Sequence, residues 1–123
     1  MSQPSIFLGS SSEQLDMVER ISKRLRDSAI VQVWKDVFPP GRTALQSLIA
    51  KANEVDFAAF IFAPDDQVVS RSEESMGPRD NVVFEAGLFG GILGMERSII
   101  VHAKGAKLPS DLEGLTSISY DPG

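Results

Sequence analysis

After its first residue, the segment DFAAFIFA (56–63) is apolar at every position. A strand covered on one face alternates apolar and polar side chains, whereas one covered on both faces does not. The run is too short for a core helix and rich in aromatic residues, so it reads as a central strand. A strand buried on both faces needs a layer of helices above and below the sheet.

The flanking segments supply those layers. Ser5–Leu8 is a short apolar run that ends at Gly9-Ser10-Ser11-Ser12. Glu13–Asp27 carries Leu15, Val18, Ile21 and Leu25 at helical spacing, with Ser12 as N-cap. Ile30–Trp34 alternates as a strand. Thr43 caps a helix that runs to about Asn53 with Leu45, Leu48 and Ile49 on one face. Asp80 or Asn81 opens a third helix and Gly94 closes it. Ser98–Val101 is a fourth strand, Ser110–Leu115 a helical turn and Ser117–Tyr120 a fifth strand. Strands alternating with helices give a parallel sheet, and five of them fit a flavodoxin-like α/β fold of strand order 2-1-3-4-5. The 123 residues read as one domain, and the stop soon after the last strand suggests a domain cut from a longer protein.

Composition narrows the chemistry. A net charge of −5 without a basic run argues against nucleic acid as a partner. There is no cysteine, and His102 is the one histidine, which argues against thiolate chemistry, a histidine-rich metal site and a Ser-His-Asp triad. The N-terminus lacks a signal-peptide pattern and the longest apolar stretch is too short to span a bilayer. A cytoplasmic domain that binds neither membrane nor nucleic acid is expected.

In this fold class ligands bind outside the carboxyl ends of the strands. That edge collects Ser10 and Ser11 after the first strand, Trp34 and the loop Val37–Arg42 after the second, and Asp65 and Asp66 after the third. The third helix begins at the same edge. From Asn81 to Met95 it carries a single charged side chain, Glu85, placed in its second turn. A carboxylate among apolar residues is expensive to bury unpaired. Either it pairs with Arg71 or Arg79, or it is held partly dry at a ligand crevice. Trp34 is either core or a ligand platform. Gly9-Ser10-Ser11-Ser12 is a weak candidate phosphate cradle at a helix N-terminus. Gly87, Gly90, Gly91 and Gly94 permit close approach, either to the sheet or to a neighbouring helix in an assembly. Asp65-Asp66 lacks a further carboxylate cluster, so no metal is expected.

SIFLGSSSE, VWKDVF, DFAAFIFAPDD and RDNVVFEAGLFGGILG together resemble the TIR-like domains of bacterial anti-phage effectors of the CBASS type, among them the N-terminal domains of TIR–STING fusions. The likeness covers nearly the whole chain and is most specific from Arg79 to Gly94. It implies an NAD+ glycohydrolase with NAD+ as substrate, no cofactor, and Glu85 as the catalytic glutamate. It also implies assembly with other copies and a fused sensor domain for a cyclic nucleotide. Many such enzymes have an aromatic residue four positions before the glutamate, where this chain has Asn81; Trp34 or Phe38 can supply the stacking instead. The substrate-binding set is then Ser10, Ser11, Trp34, Phe38, Asp66 and Asn81. Two other readings stand beside this one: a nucleoside 2-deoxyribosyltransferase-like enzyme with a glutamate nucleophile, and a TIR–TIR interaction module without catalysis.

Overall fold

The computed structural model describes residues 3–10, 14–34, 43–62, 78–104, 112 and 114–121, with the side chains of 44 and 78–81 outside that set. Its elements are β1 (Ser5–Gly9), α1 (Leu15–Leu25), β2 (Ile30–Val33), α2 (Ala44–Ala52), β3 (Phe57–Phe62), α3 (Pro78–Leu93), β4 (Ser98–Ala103) and β5 (Thr116–Tyr120). The strands form one sheet of order β2-β1-β3-β4-β5, and every described pairing is parallel. The chain leaves β1 for β2 on one side and returns to β3 on the other, which makes the β1–β3 boundary the topological switch point. In open α/β sheets the ligand crevice lies there.

Side-chain alternation divides the core. Phe7, Phe60, Phe62 and Ile100 face α2 and α3, where they pack with Leu48, Ala52, Val82, Ala86 and Phe89. Leu8, Ala59 and Ile61 face α1 and its Val18. The first cluster is built on three rings: Phe7 and Phe89 stack at 4.9 Å, and Phe60 meets Phe89 edge-on at 5.3 Å and Phe7 at 6.0 Å. The Ser98 hydroxyl donates to the Ala86 carbonyl (2.9 Å), tying the start of β4 to α3.

Thr43 caps α2 as expected, in a reciprocal pair with Gln46: Thr43 Oγ1 accepts from Gln46 N at 3.1 Å and Thr43 N donates to Gln46 Oε1 at 3.0 Å. Gly94, at φ +104°, follows α3 in a conformation that suits glycine. Several boundaries differ from the sequence expectation. The N-cap of α1 is Gln14, without a side-chain capping bond, and not Ser12. α3 starts at Pro78, ahead of Asp80 and Asn81; proline suits the first helical position because its missing N–H needs no partner there. The buried side of α2 is Ser47, Leu48 and Ala52, while Leu45 and Ile49 are exposed. Small side chains let α2 lie close, which rolls its two larger flanking residues outward.

Candidate active site

Strand β1 ends at the switch point with Gly9, which pairs in register with Phe60 of β3. Gly9 lies two residues after Phe7, so a side chain there would point to the α2–α3 side. A Cβ placed on Gly9 would lie 3.4 Å from Glu85 Oε1 and 2.7 and 2.9 Å from Cδ1 and Cε1 of Phe60. Glu85 therefore reaches from α3 to the carboxyl end of β1. It is the eighth residue of α3, one turn later than the sequence suggested. That is beyond the first turn, where the helix dipole favours negative charge.

Glu85 is partly buried. Burial pushes its carboxyl from 4.5 up to about 7, with desolvation as the cause. A cation in contact would act in the opposite direction. Among the described residues Glu85 forms no ion pair and no hydrogen bond. Arg71, proposed as a structural partner, lies outside the described residues, as does the side chain of Arg79. A carboxyl group that titrates near neutrality at a strand-end crevice suits acid–base or electrostatic chemistry.

Beside it, the Trp34 indole N–H donates to Ser10 Oγ at 3.1 Å. Ser10 is buried, and Trp34 packs on the cluster that contains Phe7 and Phe60. Trp34 is thus partly core, one of its two sequence readings, and its polar edge holds Ser10 at the end of β1. Trp34→Ala should lower stability by about 2–3 kcal/mol, less than a fully buried tryptophan would. Ser10→Ala should cost about 1 kcal/mol. Urea titration of the two variants and their combination checks both values, and coupling between them should show as a non-additive double variant.

Of the expected set, the structure joins Ser10 to Trp34 and places Glu85 at Gly9, the residue before Ser10, with Phe60 beside it. Ser11, Phe38 and Asp66 lie outside the described residues, as does the loop Val37–Arg42; Asn81 is described only as part of the α3 backbone. Phe60 was not singled out from sequence, because strand order does not fix the β1–β3 register that sets it beside Gly9. The α3 glycines divide. A Cβ on Gly90 would meet Leu115 Cδ2 at 2.9 Å and Ser98 Cβ at 3.7 Å, so Gly90 serves packing on the sheet side. Gly91 has nothing within 4 Å, and both it and Gly87 are exposed.

Comparison with known proteins adds a family. Residues 5–122 match the family described as CAP12/Pycsar effector protein, TIR domain. The chain is 36% identical over 117 residues to CD-NTase-associated protein 12 of Lachnospiraceae bacterium (strain RUG226), covering 94% of this chain and 37% of that protein. It is 43% identical over 119 residues to the Pycsar effector protein PaPycTIR of Pseudomonas aeruginosa, covering 94% and 39%. It is 40% identical over 115 residues to CD-NTase-associated protein 12 of Sphingobacterium faecium, covering 94% and 36%. The chain thus spans less than two-fifths of the length of these relatives.

Proposed function

The chain belongs to the CAP12/Pycsar effector TIR-domain family, the TIR domains of bacterial anti-phage effectors, and from that premise we propose that it is an NAD+ glycohydrolase activated by clustering. The observation that carries the reading is Glu85, a carboxyl without a cationic partner among the described residues, at the switch-point crevice with its titration raised to about 7.

The chemistry asks for one carboxylate. Glycosidases commonly pair an acid with a second carboxylate because their leaving group needs a proton. In NAD+ the leaving group is already a cationic pyridinium. When the C1′–N bond breaks, its electron pair goes to the ring nitrogen and nicotinamide departs neutral. Positive charge develops on the ribose, and an ionised Glu85 in a low-dielectric setting stabilises it. Water then adds to C1′ and loses a proton, which a carboxylate titrating near 7 can accept.

Two consequences follow for pH. The ionised form of Glu85 is the working one, so kcat/KM should rise through about pH 7 and level off above about pH 8. The cationic substrate favours the ionised carboxyl, so the midpoint in kcat should lie lower. A pH-independent rate between 5.5 and 8.5 contradicts the assignment.

Regulation comes from outside this chain in this reading. The names of the relatives carry CD-NTase and Pycsar effector terms, which suits a cyclic-nucleotide signal received by another region and passed on as clustering of TIR domains. The direct test is incubation with NAD+ on a dense tether, with nicotinamide followed by chromatography. Nicotinamide release supports the proposal. None under any clustering would leave an interaction module. Trapping of a covalent glycosyl-enzyme on deoxynucleosides, with NAD+ untouched, would favour the deoxyribosyltransferase-like alternative.

A further inference from the structure

Gly9 stands at the head of Gly9-Ser10-Ser11-Ser12, the stretch that the sequence offers as a weak candidate phosphate cradle. The geometry points elsewhere. Gly9 is extended β1 backbone, and the positive-φ glycines among the described residues are Gly94 and Gly114. Conformation therefore does not require glycine at position 9. Space does: the volume a Cβ would take is filled by the edge of the Phe60 ring, with Glu85 Oε1 at contact distance beside it, 3.4 Å away.

Phe60 cannot give way freely. A separation of 2.7 Å between carbons is far inside contact, so a methyl group on Gly9 must displace Phe60. Phe60 is fully buried and wedged against Phe89 at 5.3 Å and Phe7 at 6.0 Å. Phe89 is one helical turn after Glu85 on α3, so a push on Phe60 is passed to the segment that carries the carboxylate. Overpacked cores respond by backbone shifts of this kind.

We infer that Gly9 is a positioning residue whose missing side chain makes the seat in which Phe60 and Phe89 hold the Glu85 carboxylate against the end of β1. The seat also keeps water from one side of the carboxyl. This deepens the glycohydrolase reading and rests on it for the activity measurements, but the seat itself can be tested without substrate.

The experiment is a double-mutant cycle of Gly9→Ala and Phe60→Val, the second change removing both ring carbons that the new methyl meets. The first readout is the titration of the Glu85 side-chain carboxyl by carbon-13 NMR. In the wild type its midpoint is expected near 7; Gly9→Ala should move it by about one pH unit toward the ordinary carboxylate value. In the Phe60→Val background the same change should move it little. The second readout is NAD+ cleavage: Gly9→Ala should lower kcat by about 10–100-fold with KM within about twofold. In the Phe60→Val background Gly9→Ala should change kcat by less than about threefold.

An unchanged Glu85 titration and kcat in Gly9→Ala overturn the inference. So does a raised KM with kcat intact in both backgrounds, the mark of a phosphate cradle. Should Gly9→Ala fail to fold, the double variant decides: a folded double variant supports the seat, and an unfolded one removes it. If the wild type releases no nicotinamide while the titration pattern holds, the seat stands and the glycohydrolase reading falls.

Discussion

Glu85→Gln should lower NAD+ cleavage by about 100-fold or more and yet give a protein more heat-stable than the wild type at pH 8. The loss follows from removing one electrostatic stabiliser from a preorganised site. The gain follows from the same burial. With its folded value raised from 4.5 to about 7, Glu85 keeps a proton in the folded chain that the unfolded chain has released between those limits. Stability is therefore greatest below about 4.5, falls as pH rises through that window, and stays at the lower level above about 7. The full shift sets a ceiling of about 3 kcal/mol. Water reaches part of the side chain, so about 1–2 kcal/mol is the expected effect. Glutamine carries no charge at any of these pH values and should escape the penalty, raising the melting temperature by about 3–8 °C at pH 8 and by little at pH 5. Calorimetry at the two pH values beside a nicotinamide assay checks both halves. A variant that melts lower at pH 8, or that cleaves at the wild-type rate, would place the working carboxylate elsewhere.

The helix that carries Glu85 was legible because its only charge between Asn81 and Met95 stands out against an apolar background. The all-apolar 57–62 segment likewise announced a strand covered on both sides, alternation announced a parallel sheet, and the order β2-β1-β3-β4-β5 is the flavodoxin-like one that five strands fit. What was not legible depends on register and on relative size. That Gly9 faces Phe60 and Glu85 follows from the pairing of β1 with β3, which pattern alone does not give. The buried side of α2 went to Ser47 and Ala52 because small residues permit close packing, while a hydrophobicity pattern favours Leu45 and Ile49. α1 starts at Leu15 behind Gln14, which makes no side-chain capping bond, so the Ser12 capping signal misplaced its start. The dual use of Trp34, ring in the core and N–H on Ser10, is visible only once both strand ends are in place.

Specific activity should rise about tenfold or more when the chain is moved from dilute solution to a dense tether, and α3 supplies the physical reason. A helix that is apolar nearly all round is normally buried all round. In α3, Val82, Ala86 and Phe89 face the core, but Phe84 is 54% exposed, and Gly87, Gly91 and Ile92 are exposed beside it. At about 100° per residue these four lie on one side of the helix, and Glu85 sits on the border between that side and the core. A neighbouring copy packed there would flank the crevice and, if it binds the working conformation better, favour it by population shift. The exposed stripe is about two and a half turns long, too small for the area of a stable dimer. Association should therefore be weak in solution and become substantial only at high local concentration, as the proposed activation by clustering requires. Gly91→Lys separates assembly from fold. Nothing lies within 4 Å of its Cβ position, and lysine is a better helix former than glycine by nearly 1 kcal/mol. The variant should melt higher than the wild type, match its low activity in dilute solution, and lose most of the rise on the tether because a charged side chain now fills the approach. Equal activation of wild type and Gly91→Lys would remove α3 as the contact, and activity that stays flat from dilute solution to the crowded surface would show that a single copy already holds a complete site.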